Sequence, residues 1–381
     1  GILEDFRRLV RAAESHGLEI ALDIAFQASP DHPWVTEHPE WFRHRPDGTI
    51  QYAENPPKKY QDIYPFDFES EAWRELWEAL AGIFFFWIEQ GVRIFRVDNP
   101  HTKPFAFWEW LIREVQRAYP ETIFLAEAFT RPKVMNRLAK LGFTQSYTYF
   151  AWRNSKWELT EYARDLQRPG VREFFRPNFW PNTPDILTEA LQVGNRATFM
   201  TRLVLAATMA ASYGIYGPPF ELMVREAKEV GSEEYLDSEK YQIRVWNRDD
   251  PRSLAPFIAR VNRIRRENPA LQWNHDLRAL RLDNEALIPF LKRSPDGRNN
   301  ILTVVNLDPT HTQSGWVEVP VHELGIGEHE SYEVHDLLSD ARYLWTGAWN
   351  YVELDPRVAP AHIFRIVRHL RTEADFEYYS A

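Results

Sequence analysis

The 381-residue sequence contains no cysteine. That removes disulfides, thiolate metal sites and cysteine nucleophiles from consideration, and it fits a reducing, cytoplasmic setting. Long apolar runs are missing too. No stretch of 18 apolar residues occurs, so no membrane span is expected. The most apolar segment, Ala79 to Ile88, is short and reads as a buried helix. The opening Gly1-Ile2-Leu3-Glu4-Asp5 has neither a basic region nor an apolar core, so a signal peptide is not expected. Positive charge is scarce: 45 Lys and Arg stand against 55 Asp and Glu, a net charge of −10. A general nucleic-acid binder would show a basic face instead. No G-x-G-x-x-G follows a strand-like segment, which weakens a dinucleotide-binding reading. The histidines His32, His38 and His101 are scattered rather than set at ligand spacing, so neither a catalytic metal nor a cofactor is expected.

Aromatic residues are abundant: 15 Trp, 16 Tyr and 24 Phe. Flat rings suit stacking on sugar C–H faces as well as core packing. For any single ring the core is the default expectation.

The first two-thirds of the chain alternates strand-like and helix-like segments. Leu18 to Phe26, Val92 to Asp98 and Thr122 to Ala128 are apolar runs that read as strands buried on both faces. Gln145 to Phe150, Phe174 to Phe179 and Ser212 to Tyr216 are weaker strands. Helical patterns occupy Glu4 to Ser15, Ser70 to Gln90, Pro104 to Ala118, Pro132 to Lys140, Arg196 to Ala210 and Ser253 to Glu267. Pro104 and Pro132 sit where a first-turn proline belongs, and Gly17 and Gly91 where helices stop. Such alternation predicts a parallel sheet with crossover helices. A closed barrel and an open sheet both fit, but acids at strand C-termini and long loops beyond them, notably Gln27 to Pro65, follow barrel logic. From about Leu287 short strands and turn signals take over, predicting a small antiparallel β-sandwich. The expected division is 1–283 for the barrel, 284–371 for the β domain and 372–381 for a tail.

Chemistry concentrates at strand ends. In Arg96-Val97-Asp98 an acid closes an apolar strand, and Arg96, two residues earlier, shares its face. The pairing would keep Asp98 ionised, as a nucleophilic carboxylate requires; a purely structural ion pair is the alternative. Glu127 closes Phe124-Leu125-Ala126 in the same way. Its apolar flanks suit a general acid with a raised pKa. Asp23 ends a third such run, where an acid also serves to fix a loop. Asp185, in Asn182-Thr183-Pro184-Asp185, reads by itself as a turn or cap residue.

Together, Asp23, Arg96-Val97-Asp98 and Glu127 resemble motifs of the α-amylase superfamily. The strings Gln27-Ala28-Ser29-Pro30-Asp31-His32-Pro33-Trp34, Asn55-Pro56-Pro57-Lys58-Lys59-Tyr60-Gln61-Asp62-Ile63-Tyr64-Pro65 and Asp98-Asn99-Pro100-His101-Thr102-Lys103-Pro104 are similar to its branch of α-1,4-glucan:maltose-1-phosphate maltosyltransferases. That resemblance implies a retaining (β/α)8 barrel, with strands 3–8 present in this chain and the first two upstream. It implies Asp98 as nucleophile, Glu127 as acid/base and Asp185 as a third carboxylate that binds sugar hydroxyls. It assigns Asn55, Lys58, Tyr60 and Asn99 to the phosphate of the donor, and Gln27 and Lys240 to its sugar. Asp23 and Arg96 join the substrate-binding set. α-Maltose-1-phosphate and an α-1,4-glucan are the implied substrates, with no nucleic acid or membrane partner, and full-length members are implied to be homodimers. Ala28 and Pro184 stand where ordinary α-amylases carry histidines, which argues against a plain starch hydrolase.

Overall fold

A computed structural model describes residues 1–55 and 58–367. The expected tail, 372–381, lies outside the described residues, as do the side chains of Asn55 and Lys58. The chain divides into two compact units: residues 1–147 with 174–176, and residues 148–173 with 177 onward.

In the first unit, helix α1 (Leu3–Ser15) leads into strand β1 (Ala21–Ile24). Then follow α2 (Trp73–Glu89), β2 (Ile94–Asp98), α3 (Phe105–Ala118), β3 (Ile123–Glu127), α4 (Pro132–Leu141) and β4 (Gln145–Tyr147). The four strands are parallel and ordered as in the chain. The punctuation works as its chemistry dictates. Gly17 and Gly91 take positive φ just past α1 and α2, a conformation that costs other residues a Cβ clash. Pro132 opens α4 at its first turn, whereas Pro104 is the cap of α3 rather than its first helical residue. The core is aromatic. Phe84, Phe95, Phe107, Trp108 and Phe124 are fully buried, and rings of Phe84 and Phe95 meet edge-on at 4.7 Å. Edge-on contact aligns the positive ring edge with a negative face.

The long segment from Gln27 to Pro65 is not featureless. Gln27–Ala28 pairs with Tyr64–Pro65, and Ala53–Asn55 pairs with Lys58–Tyr60 as a hairpin. Trp34, Trp41, Phe42 and Phe66 pack beneath it.

The second unit contains α5 (Lys156–Leu166), β5 (Pro177–Phe179), α6 (Arg196–Met209), β6 (Ser212–Tyr213) and α7 (Ala255–Glu267). β5 and β6 pair in parallel. All six strands expected in the alternating region are therefore present, the weaker ones shorter than expected. Helix α5 was not expected. Its signal is a capping box: Ser155 accepts from the Glu158 N–H at 3.2 Å, and Glu158 reaches back to the Ser155 N–H at 3.0 Å.

The antiparallel region follows with β7 (Leu287–Arg293), β8 (Asn300–Asn306), β9 (Gln313–Glu318), β10 (Ser331–Asp336), β11 (Arg342–Thr346), β12 (Trp349–Leu354) and β13 (Ala361–Val367). β9 and β12 form a two-stranded sheet, and the others belong to a larger sheet ordered β7-β8-β13-β10-β11. Leu291, Leu302, Val334 and Phe364 share one apolar cluster with Val317, Val352 and Leu354, as the inner faces of a sandwich should.

Candidate active site

The parallel sheet of the first unit sets the site. Asp23 is in register with Arg96, and Asp98 with Glu127. Position pairing across parallel strands places these side chains side by side at the C-terminal edge. Arg96 joins them. Its Nε lies 3.2 Å from Asp23, its Nη1 3.1 Å from Asp98 and its Nη2 3.5 Å from Glu127. A guanidinium presents donors in a rigid planar fork, so one side chain can serve three acids. Burial works against the charge of Arg96, but Glu127, Asp23, Tyr147 and Asp98 together raise its pKa above the ordinary arginine value. Asp23 is 70% exposed and Glu127 is buried.

Asn99 follows the strand end in the left-handed region, at φ 44°. Asparagine tolerates that conformation better than most residues. The turn lets its Nδ2 donate to Asp98 Oδ2 at 3.1 Å. Its backbone N–H is shared between the Glu127 carbonyl at 3.1 Å and Glu127 Oε2 at 3.5 Å. Trp108 Nε1 donates to the Pro100 carbonyl at 2.9 Å and anchors the turn from below.

Two further groups, Lys103 and His101, lie near Asp98. Burial lowers the Lys103 pKa, with Asp98 opposing the shift. Burial, then Lys103, lower that of His101, again against Asp98. Tyr147 is a third addition. It ends β4 as Asp98 ends β2, it is buried, and the Arg96 guanidinium lies 5.8 Å from its ring centre. Burial pushes its phenol pKa up, so it stays neutral. The strand-end rule that found Asp98 and Glu127 points to Tyr147 as well, but a three-residue strand gives that rule little to hold.

The remaining expected residues belong to other elements. Gln27 is exposed within its short strand pair, and Tyr60 is exposed on the hairpin. Asn55 and Lys58 face each other in the backbone pairing of that hairpin. Asp185 belongs to the second unit. It forms an ion pair with Lys240, and burial of the lysine is outweighed by Asp185, which raises the Lys240 pKa. The loop beneath is fixed by Asn182, which is fully buried. Its amide donates to Tyr235 Oη at 2.8 Å and accepts from the Tyr216 N–H at 2.9 Å. Tyr216 in turn donates to Glu239 at 2.6 Å. Among the described residues, no group of three or more His, Cys, Asp or Glu side chains could hold a metal ion. No helix there is long and apolar enough to cross a membrane.

Comparison with known proteins places this geometry. The family described as "GLGE, C-terminal" matches residues 279–366. The chain is 57% identical over 372 residues to the α-1,4-glucan:maltose-1-phosphate maltosyltransferase of Chlorobaculum tepidum, covering 96% of this chain and 55% of that protein. It is 51% identical over 380 residues to the enzyme of the same name from Myxococcus xanthus, covering 100% and 56%. Along this stretch the chain is similar to α-1,4-glucan:maltose-1-phosphate maltosyltransferases. It spans about half the length of the curated relatives it matches. Among solved structures it resembles a noncanonic maltogenic α-amylase from Thermotoga neapolitana, with a TM-score of 0.74 at 18% identity over 97% of this chain and 82% of that one. The α-amylase of Geobacillus thermoleovorans, solved with acarbose, gives 0.73 at 15%, covering 98% and 82%. At such identities the likeness concerns the fold, an α-amylase-type barrel with its C-terminal β domain.

Proposed function

We propose that the protein containing this chain transfers maltosyl units from α-maltose-1-phosphate to the non-reducing end of an α-1,4-glucan, with retention of configuration. The observation that carries the proposal is Arg96 bound to Asp23, Asp98 and Glu127 at once, in a chain 57% identical to a maltosyltransferase. Asp98 and Glu127 start from paired positions on strands about 4.8 Å apart. Retaining enzymes hold their two carboxyl groups about 5–5.5 Å apart, a spacing such neighbours suit.

In this reading Asp98 attacks the anomeric carbon, the bond from that carbon to the phosphate oxygen breaks, and phosphate departs with the bonding pair. Phosphate is a good leaving group, so the step needs little protonation. Asn55, Lys58, Tyr60 and Asn99 hold the departing dianion; one cation with neutral donors does so without quenching the nucleophile. The acceptor 4-hydroxyl then attacks the same carbon, Glu127 takes its proton, and the Asp98 ester is released. Asp185 binds sugar hydroxyls, with Lys240 and Gln27 beside the donor. A cytoplasmic homodimer is part of the same proposal.

The test uses the full-length protein with α-maltose-1-phosphate and a maltooligosaccharide. Phosphate release should match chain extension, and Asp98→Asn should lower turnover by about 10⁴-fold or more. Lys58→Ala should mainly damage donor use. Absence of phosphate release, with free maltose as the sole product from glucan, would refute the proposal.

A further inference from the structure

The outer face of the β9–β12 pair carries three exposed aromatic rings. Trp316 is in register with Tyr351, and Glu318 with Trp349. Residues two apart on a strand share a face, so Trp349 and Tyr351 stand on one side with Trp316 opposite. They are 42%, 49% and 50% exposed. Trp316 and Tyr351 meet at 5.8 Å between ring centres.

The face is built rather than incidental. The alternate residues Val317, Val352 and Leu354 are buried in the sandwich core, which fixes the direction of the outward set. The backbone N–H of Trp316 donates to Asp283 Oδ1 at 2.7 Å. Gly315 beside it leaves no room for a side chain, since an added Cβ would lie 2.7 Å from Asp283 Oδ1. Polar groups rim the rings. Tyr351 Oη donates to Glu353 at 3.0 Å. Arg281 sits 5.3 Å from the Trp349 ring centre and 3.3 Å from Glu318.

Carboxylates and a guanidinium alternate with the rings. A neutral ligand with flat C–H faces and a hydroxyl edge fits that alternation. We infer that this face is a surface site for an α-glucan chain, one that holds polymer rather than reacting with it. The choice of α-glucan as occupant rests on the proposed function.

The strand backbone that carries the rings is fixed by its pairing, so little backbone freedom is lost on binding. Loss of one stacking ring should weaken binding by about tenfold. The experiment compares full-length wild-type protein with Trp316→Ala and Trp349→Ala in native gels containing glycogen. It also compares phosphate release with maltohexaose and with glycogen as acceptor. The inference expects glycogen to retard the wild type, the Ala variants to lose most of that retardation, and Trp316→Phe to keep part of it. Turnover with maltohexaose should stay within about twofold, while the apparent KM for glycogen rises about tenfold. Unretarded wild type, or variants retarded equally, would overturn it. So would equal losses with both acceptors, which would mark the rings as structural. If wild type releases no phosphate from maltose-1-phosphate yet shows Trp316-dependent retardation, the proposed function fails and the surface site stands.

Discussion

Arg96 and Lys292 are both cations withdrawn from water, and the molecule treats them in opposite ways. Arg96, on a parallel strand of the first unit, is surrounded by three carboxylates that strengthen its charge. Lys292, on β7 of the β domain, is 0% exposed, and no hydrogen-bond partner for its Nζ is found among the described residues. Burial, with Arg265 adding repulsion, lowers its pKa to about 7. The contrast separates two uses of buried charge. Counter-charges make a desolvated cation tolerable and leave it available to organise acids. Where they are missing, the cation gives up its proton instead.

The largest expected effect comes from breaking the first arrangement. Arg96→Met leaves Asp23, Asp98 and Glu127 without their shared cation. Turnover should fall by about 10²–10³-fold, comparable to losing one aligned electrostatic group in other enzymes. Unfolding free energy should drop by about 3–5 kcal/mol, the usual consequence of orphaning buried charges. Arg96→Lys should rescue little, because an ammonium cannot reach three acids along separate bonds. Steady-state kinetics and urea unfolding read both effects, and near-wild-type turnover in either variant would contradict the arrangement's importance.

A smaller effect tests the other half of the comparison. The folded pKa of Lys292 lies below its ordinary value of 10.5, so the unfolded chain binds its proton more tightly. Below pH 7 this group therefore costs stability, and the cost fades as pH rises from about 7 toward 10. Lys292→Met removes the titration. Its stability advantage over wild type should shrink by on the order of 2 kcal/mol between pH 6 and pH 9. A pH-independent difference between the two proteins in that window would show that Lys292 keeps its proton throughout.

The smallest effect belongs to Asp23. It touches Arg96 as Asp98 and Glu127 do, yet its side chain is mostly in water. Asp23→Asn should change unfolding free energy by about 1 kcal/mol or less, as for other solvent-screened pairs. A loss near that of Arg96→Met would mean that exposure does not rank the three acids.

The sequence was most legible where a rule has one dominant cause. Acids closing apolar runs drew attention to Asp98 and Glu127, and the structure brings both to Arg96. The strands of the alternating region were readable from periodicity. Other features depend on tertiary neighbours. Lys292 lies in a run correctly read as a strand, but no local pattern shows which face of that strand is dry. Tyr147 closes a strand of three residues. Helix α5 lacked a strong apolar stripe, and only Ser155 and Glu158 announced it. Arg202 is likewise invisible locally: it is buried, donates to the Phe150 and Arg153 carbonyls at 2.6 Å each, and its pKa falls to about 9 through burial. The division after Tyr147 has no composition change to mark it.

Asn99 carries a consequence for kinetics. Its side chain holds Asp98 and its backbone N–H holds Glu127, so one residue is a common mounting for the two carboxylates that the proposed function casts as nucleophile and acid/base. A change that shifts this residue cannot retune one carboxylate alone. Under the proposed function, substitutions in the loop from Asn99 to Lys103 should therefore slow formation and breakdown of the covalent sugar ester in parallel.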